Sequence, residues 1–132
     1  MAIVNMMPHP GGGTETETTL WTSSSTSSAA FTATLSQAAT NFDRIRIYYY
    51  LFGADSPAAI ELKVDDLTTF TGGTNTGMIA LGAKGSSYNY SRFGQFASNM
   101  ASISFTTAYR AGASNTSNTY CLPYQISGIK SS

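Results

Sequence analysis

The sequence predicts an all-β fold: an antiparallel two-sheet β-sandwich, jelly-roll-like, of about eight strands behind an extended N-terminal arm. Three observations carry this expectation. Short runs alternate apolar and polar residues with a period of two, the spacing of a half-buried strand. The runs are rich in β-branched and aromatic residues and are separated by Gly, Pro, Asn and Ser clusters. No stretch keeps helical spacing over the roughly 10–12 residues that a helix needs.

Met1 to Gly13 reads as an arm. Pro8 and Pro10 remove backbone donors, and Gly11, Gly12 and Gly13 add freedom. Ile3, Val4, Met6 and Met7 are its candidate attachment residues. The boundary falls at residue 13, giving an arm over 1–13 and a sandwich domain over 14–132.

Thr16 to Thr22 is a β-prone run ending in Leu20 and Trp21, and Ser23 to Ser28 is a polar loop. Ala29 to Ser36 alternates, with Phe31, Ala33 and Leu35 against Thr32, Thr34 and Ser36. Ile45 to Phe52 is the strongest strand: Ile45, Ile47, Tyr49 and Leu51 share one face, and Arg44, Arg46, Tyr48, Tyr50 and Phe52 share the other. Gly53 to Pro57 is a turn. Ala58 to Asp66 alternates again, with Ile60, Leu62 and Val64 inward. Met78 to Ala83, Tyr88 to Phe93 and Ala101 to Tyr109 are further strands, with a single turn expected near Gln95 to Ala101. Tyr120 to Ile126 places Tyr120, Leu122, Tyr124 and Ile126 on one face. The expected core holds Trp21, Ile45, Ile47, Tyr49, Leu62, Phe105, Leu122 and Ile126.

With 132 residues the chain suits one domain with one core. Seven Lys and Arg balance seven Asp and Glu, so no net field draws in nucleic acid or an anionic membrane, and neither is an expected partner. Charged residues make up only 11% of the chain, against about 25% in ordinary soluble domains. A neutral surface rich in Ser, Thr and Tyr favours association and suits permanent packing in an assembly. Cys121 is the only cysteine, which excludes an intrachain disulfide, and its apolar setting points to an inert thiol. No apolar run approaches the roughly 18 residues of a membrane span, and the first residues lack the basic and apolar regions of a secretory signal.

Catalytic chemistry finds little support. His9, the only histidine, lies between two prolines in the arm, a poor seat for a rigid general base. Glu15, Glu17, Asp43, Asp55, Glu61, Asp65 and Asp66 read as solvated turn residues rather than a glycosidase pair. The glycines of the arm precede no helix that could cradle phosphate. No enzyme, cofactor or metal is therefore expected.

The face bearing Arg44, Arg46, Tyr48 and Tyr50 mixes cations with aromatics, unusual for a surface that meets only water. It fits a subunit interface, where Tyr and Arg are enriched. It also fits a sugar-binding face, with rings stacked on pyranoses and Arg bonded to hydroxyls. A third reading is Arg stacked on Tyr across an outer sheet face.

Three segments carry a resemblance: ETTLWTSSSTSSAAFTATLS, FDRIRIYYYL and YCLPYQISGIK. They resemble a small domain of bacteriophage tail-fibre and tail-tip proteins. The matching positions are Leu20, Trp21 and Thr22; Phe42, Asp43, Ile45, Ile47 and Tyr49; and Pro123, Ile126, Gly128, Ile129 and Lys130. The middle, Ser56 to Ser117, matches only in its rhythm of strands and loops. The resemblance implies a β-sandwich on a virion surface, commonly a homotrimer, at the host-facing end of a fibre. On such a particle the polar loops could bind a host-surface glycan through hydroxyl and amide hydrogen bonds, and the arm would attach to other virion proteins, of capsid or tail. The alternatives are a capsid decoration or head-fibre protein held by its arm, and a carbohydrate-binding module.

Overall fold

The computed structural model describes residues 14–53, 56–69, 78–84, 89–110, 113–114 and 119–131. The expected attachment residues Ile3, Val4, Met6 and Met7 lie outside this set, as do the Gly- and Asn-bearing stretch 72–77 and all of 112–118 except 113–114, whose composition reads as polar loops.

In chain order the strands are β1 (Glu15–Thr22), β2 (Phe31–Thr34), β3 (Arg44–Phe52), β4 (Ser56–Lys63) and β5 (Met78–Lys84), then β6 (Asn89–Phe96), β7 (Ser102–Phe105), β8 (Tyr109–Arg110), β9 (Ala113–Ser114) and β10 (Tyr120–Ser131). A 3-10 turn, Ala39–Asn41, precedes β3, and a short helix α1, Val64–Thr69, follows β4. One sheet runs β1-β10-β3-β4. In the other, β2 pairs β7, and β7 and β8 lie end to end along one edge of β6 while β5 takes its opposite edge. Both sheets are thus four strands wide, and every pairing is antiparallel. The first strand pairs with the last and the second with β7, as in a jelly roll; β3–β4 and β5–β6 close as hairpins.

Alternation on β3 is complete: Ile45, Ile47, Tyr49 and Leu51 are buried and the residues between them are half-buried. The buried row meets Ile79 and Leu81 of β5, Ile103 and Phe105 of β7, and Ile126 of β10 in one core. Tyr49 also ties the layers together, its hydroxyl donating to the Gly82 carbonyl at 2.6 Å. Trp21 and Leu62 pack against the rim of this core without being fully buried. Gly53 takes φ 93° at the turn after β3, a conformation that an L side chain resists.

Three expectations are corrected. The inward row of β4 does not run on as strand to Asp66. Val64 and Leu67, three residues apart, both bury their side chains, and Val64 N–H donates to the Asp43 carbonyl at 2.9 Å. That spacing suits one helical turn, and Asp65 and Asp66 stabilise its N-terminal end. The turn expected from Gln95 begins later, because β6 continues to Phe96 before Met100 turns at φ 60°.

The third correction concerns β10. Tyr120, Leu122, Tyr124 and Ile126 do not share a face, because the register with β3 shifts between Pro123 and Gln125. Pro123 has no N–H to give the ladder, and a β-bulge accommodates it within a central strand. Before the bulge Leu122 sits opposite Tyr50, on the outer face; after it Ile126 sits opposite Ile47, in the core. Leu122 is buried, but in a second cluster with Ala108 and Tyr120, flanked by Tyr50 and Phe52.

Beyond the bulge the three segments that carried the resemblance interlock. Gly128 lies opposite Ile45, and the Phe42 ring rests directly on it: a Cβ there would stand 2.4 Å from the ring. Asp43 secures the same strand end, its carboxylate accepting the Ser131 N–H at 2.7 Å and facing the Lys130 ammonium at 3.7 Å. That backbone hydrogen bond, then the Lys130 charge, holds the Asp43 carboxyl below its usual 3.8.

Candidate functional site

Two regions carry the candidate side chains: the outer face of the β1-β10-β3-β4 sheet, and a cleft at the end of the sandwich where β1 passes into β2.

On the outer face the arginines of β3 find their partners within the chain. Arg44 pairs with Glu15 and, at 3.1 Å, with Glu61. Arg46 pairs with Glu17 at 2.9 Å and Glu61 at 2.6 Å. The Tyr48 hydroxyl donates to Glu17 and accepts from Arg46 at 3.2 Å. Hydrogen bonds with Tyr48 and Glu61 raise the pKa of Arg46, so its charge is permanent. Glu15, Glu17 and Glu61 are therefore strand residues in an ion-pair ladder rather than solvated turn residues. The side chains keep between 25% and 44% of their exposure, so each pair contributes on the order of 0.2–1 kcal/mol. Ile129 lies in register between Glu17 and Arg44 on this face and is 2% exposed. The aliphatic stems of the charged residues account for that cover.

Toward the other end of the same face the ladder gives way to rings. Tyr124, carried outward at the bulge, packs its ring 6.2 Å from Tyr48 and 5.7 Å from Tyr50, and Phe52 meets Tyr120 at 5.1 Å. Arg46 lies 6.0 Å from the Tyr48 ring centre, at the limit of a cation–π contact. Arg44, Arg46, Tyr48 and Tyr50 thus form one continuous half-buried surface, with its charges neutralised from the flanking strands.

The cleft is built differently. Ser23 to Ala29 crosses from one sheet to the other and organises its own backbone. Ser25, Ser27 and Ala29 N–H groups donate to the hydroxyl oxygens of Ser23, Ser25 and Ser27 at 3.0, 3.3 and 3.1 Å. These are side-chain turns of the Ser/Thr kind. The loop carbonyls face inward, where Tyr120 donates to Thr26 and the Ala108 N–H to Ser28 at 2.9 Å. Arg92 completes the attachment. It is fully buried on β6 and donates to the carbonyls of Ala29 at 2.6 Å, Thr106 at 2.9 Å, Cys121 at 3.0 Å and Ser27 at 3.4 Å. Its guanidinium also lies 5.1 Å from the Phe31 ring centre. Burial lowers the Arg92 pKa, and the same burial pushes the Cys121 thiol up to about 11, leaving it protonated and inert at neutral pH.

Sequence reasoning missed Arg92. Tyr90, Arg92, Gly94 and Phe96 alternate in sequence and are all buried, so the strand period itself places a cation in the interior. A buried cation needs acceptors, and the neighbouring Ser-rich loop is a source of carbonyls.

Next to this loop the structure leaves a cleft of about 260 Å³. Trp21, stacked on Phe31 with ring centres 5.7 Å apart, forms one wall, Leu122 and Pro123 contribute to the lining, and Ser23, Ser25 and Ser27 border it. Among the described residues no group of three or more His, Cys, Asp or Glu is placed to hold a metal. Nor is any helix among them long and apolar enough to cross a membrane.

No family model matches the chain, and no curated protein is significantly similar to it.

Proposed function

We propose that this chain is a non-catalytic bacteriophage virion protein exposed on the particle surface, of the tail-fibre or tail-tip kind, that contributes to adsorption to the host. The observation that carries this reading is the polarity of the sandwich. Residues 1–13 join it at the Glu15 end of β1, and the cleft opens at the other end of the same strand, beyond Thr22. An arm that attaches at one pole leaves the opposite pole free to present a binding surface. The resemblance adds support, since β1, β10 and β3 of its three segments lie side by side and the Phe42 ring on Gly128 joins the second segment to the third. In this reading the subunit is a homotrimer, with the β3 outer face against a neighbour and Ile3, Val4, Met6 and Met7 against another virion protein.

Proteomics of purified particles, with antibody labelling in the microscope, tests the location. The protein is expected at the tail tip or fibre, and its absence from particles would refute the reading. Labelling on the head would instead support a decoration or head-fibre protein, the alternative that the arm also suits. Removal of residues 1–13 is expected to leave a folded protein that no longer joins particles. Light scattering tests the trimer: Tyr48→Ala is expected to give folded monomers, and intact trimers would remove the β3 face from the interface.

A further inference from the structure

The Trp21–Ser27 cleft has a chemistry that selects among ligands. Its wall is a half-buried indole stacked on Phe31, with Leu122 and Pro123 buried beside it. Its border is three serine hydroxyls in the i, i+2, i+4 register. Each of these oxygens already accepts an N–H from two residues ahead, which fixes the side chain and leaves the hydroxyl proton to donate. Among the described residues none of the three protons has an acceptor, and neither does the Trp21 indole N–H.

No charged side chain lines the cleft. The nearby guanidinium of Arg92 is committed to the carbonyls of Ala29, Thr106 and Cys121, so nothing compensates a phosphate or carboxylate. The complementary ligand is uncharged. It has a flat, weakly apolar face to lie on the indole, and oxygens at its edge to accept from hydroxyls. A pyranose ring meets all three conditions. Ligand sites for drug-sized molecules start near 300 Å³, and this one holds about 260 Å³, enough for one ring and not for an extended oligomer.

We propose that this cleft binds a single neutral pyranose, as the terminal residue of a host-surface glycan. Only the source of the sugar rests on the function proposed above; the recognition chemistry stands independently of it.

Trp21 is the only tryptophan in the chain, so its fluorescence reports on the cleft alone. The probes are the methyl glycosides of glucose, galactose, mannose and N-acetylglucosamine, with glucose 6-phosphate and N-acetylneuraminic acid as charged comparators. At least one neutral glycoside is expected to shift the emission saturably, with a dissociation constant on the order of 1 mM for a ligand of about a dozen heavy atoms. Amide chemical-shift changes confined to residues 21–32 and Leu122 are expected with the same sugar. Ser25→Ala is expected to weaken binding about threefold to tenfold, the worth of one neutral hydrogen bond, in a protein that stays folded and melts only slightly lower for the lost Ser27 N–H bond. Phe93→Ser, on the outer face of the other sheet, is expected to leave binding unaltered. The proposal is overturned if none of the four neutral glycosides gives a saturable response up to about 50 mM, far beyond that constant. It is equally overturned if the charged sugars bind as tightly, or if Ser25→Ala binds like the parent. A protein found on particles but silent to these sugars would sink the cleft assignment alone; one that binds them but is absent from particles would sink the virion reading alone.

Discussion

Arg92→Met removes a buried cation while keeping most of the apolar volume. In the parent, three short hydrogen bonds of 2.6, 2.9 and 3.0 Å tie Ala29, Thr106 and Cys121 to one guanidinium, with a longer one to Ser27. The Cys121 residue is fully buried, so its carbonyl has least access to replacement water, and losing the partner costs about 1–3 kcal/mol. The Ala29 and Thr106 residues are exposed, and their lost bonds cost about 0.5–1.5 kcal/mol each as water takes over. The sum is about 2–6 kcal/mol, with about 4 as the central figure. Unfolding entropy of about 2.1 cal/mol/K per residue over 132 residues gives about 0.28 kcal/mol/K, so the melting temperature should fall by about 14 °C. Urea unfolding followed by Trp21 fluorescence, with thermal melts by circular dichroism, measures both quantities. Arg92→Lys keeps a charge but not the planar fork and should recover about half of the loss. The opposite outcome has a physical basis too, because desolvating a guanidinium costs several kcal/mol and apolar replacements of buried charges are sometimes neutral. A Met variant within about 0.5 kcal/mol of the parent would show that desolvation cancels the carbonyl bonds, and the reasoning would fail.

Gly128→Ala forces a methyl group into the Phe42 ring at 2.4 Å and should cost about 2–3 kcal/mol in urea unfolding, with Phe42→Leu restoring part of it. Arg46→Glu sets a third carboxylate beside Glu17 and Glu61 and should cost about 1–2 kcal/mol, allowing for the partial exposure of these side chains. Because the Debye length falls from about 10 Å at 0.1 M to about 3 Å at 1 M salt, this deficit should shrink in concentrated salt; a salt-independent loss would point away from the ladder. Asp43 gives a pH signature. Its folded pKa lies below the ordinary 3.8, so its contribution is present above that value and disappears as the pH falls through the folded pKa. Asp43→Asn should therefore be less stable near neutrality and should flatten the acid limb of the stability profile; parallel acid limbs would count against this role.

Period-two alternation was enough to place β3 and its buried row, because each side chain there follows the pleat without interruption. It failed on β10, where Pro123 forces a bulge and turns Leu122 outward while Ile126 turns in. A proline inside an alternating run was the available warning. It failed again at Val64, where the interval to Leu67 signals a helical turn as readily as Val64 signals a strand. The outer face was legible as Arg and Tyr but not as a ladder. Glu15 and Glu17 reach it only because β1 pairs with β10 across more than a hundred residues of chain, a register that local pattern cannot specify. The cleft was least legible of all. Its walls come from Trp21, Phe31 and Leu122, which the topology brings together, and its border from a serine loop whose composition reads simply as solvent-facing.

The antiparallel pairing of β1 with β10 has a mechanical consequence. A tether at the Glu15 end and a grip at the cleft would pull along β1, perpendicular to the hydrogen bonds that join Glu15–Thr22 to Gln125–Ser131. Because both points lie on β1, its covalent backbone carries that load, and the row of bonds to β10 holds the strand in place without being peeled open. A module held at one pole and hauled on at the other would thus meet tension in its most resistant geometry.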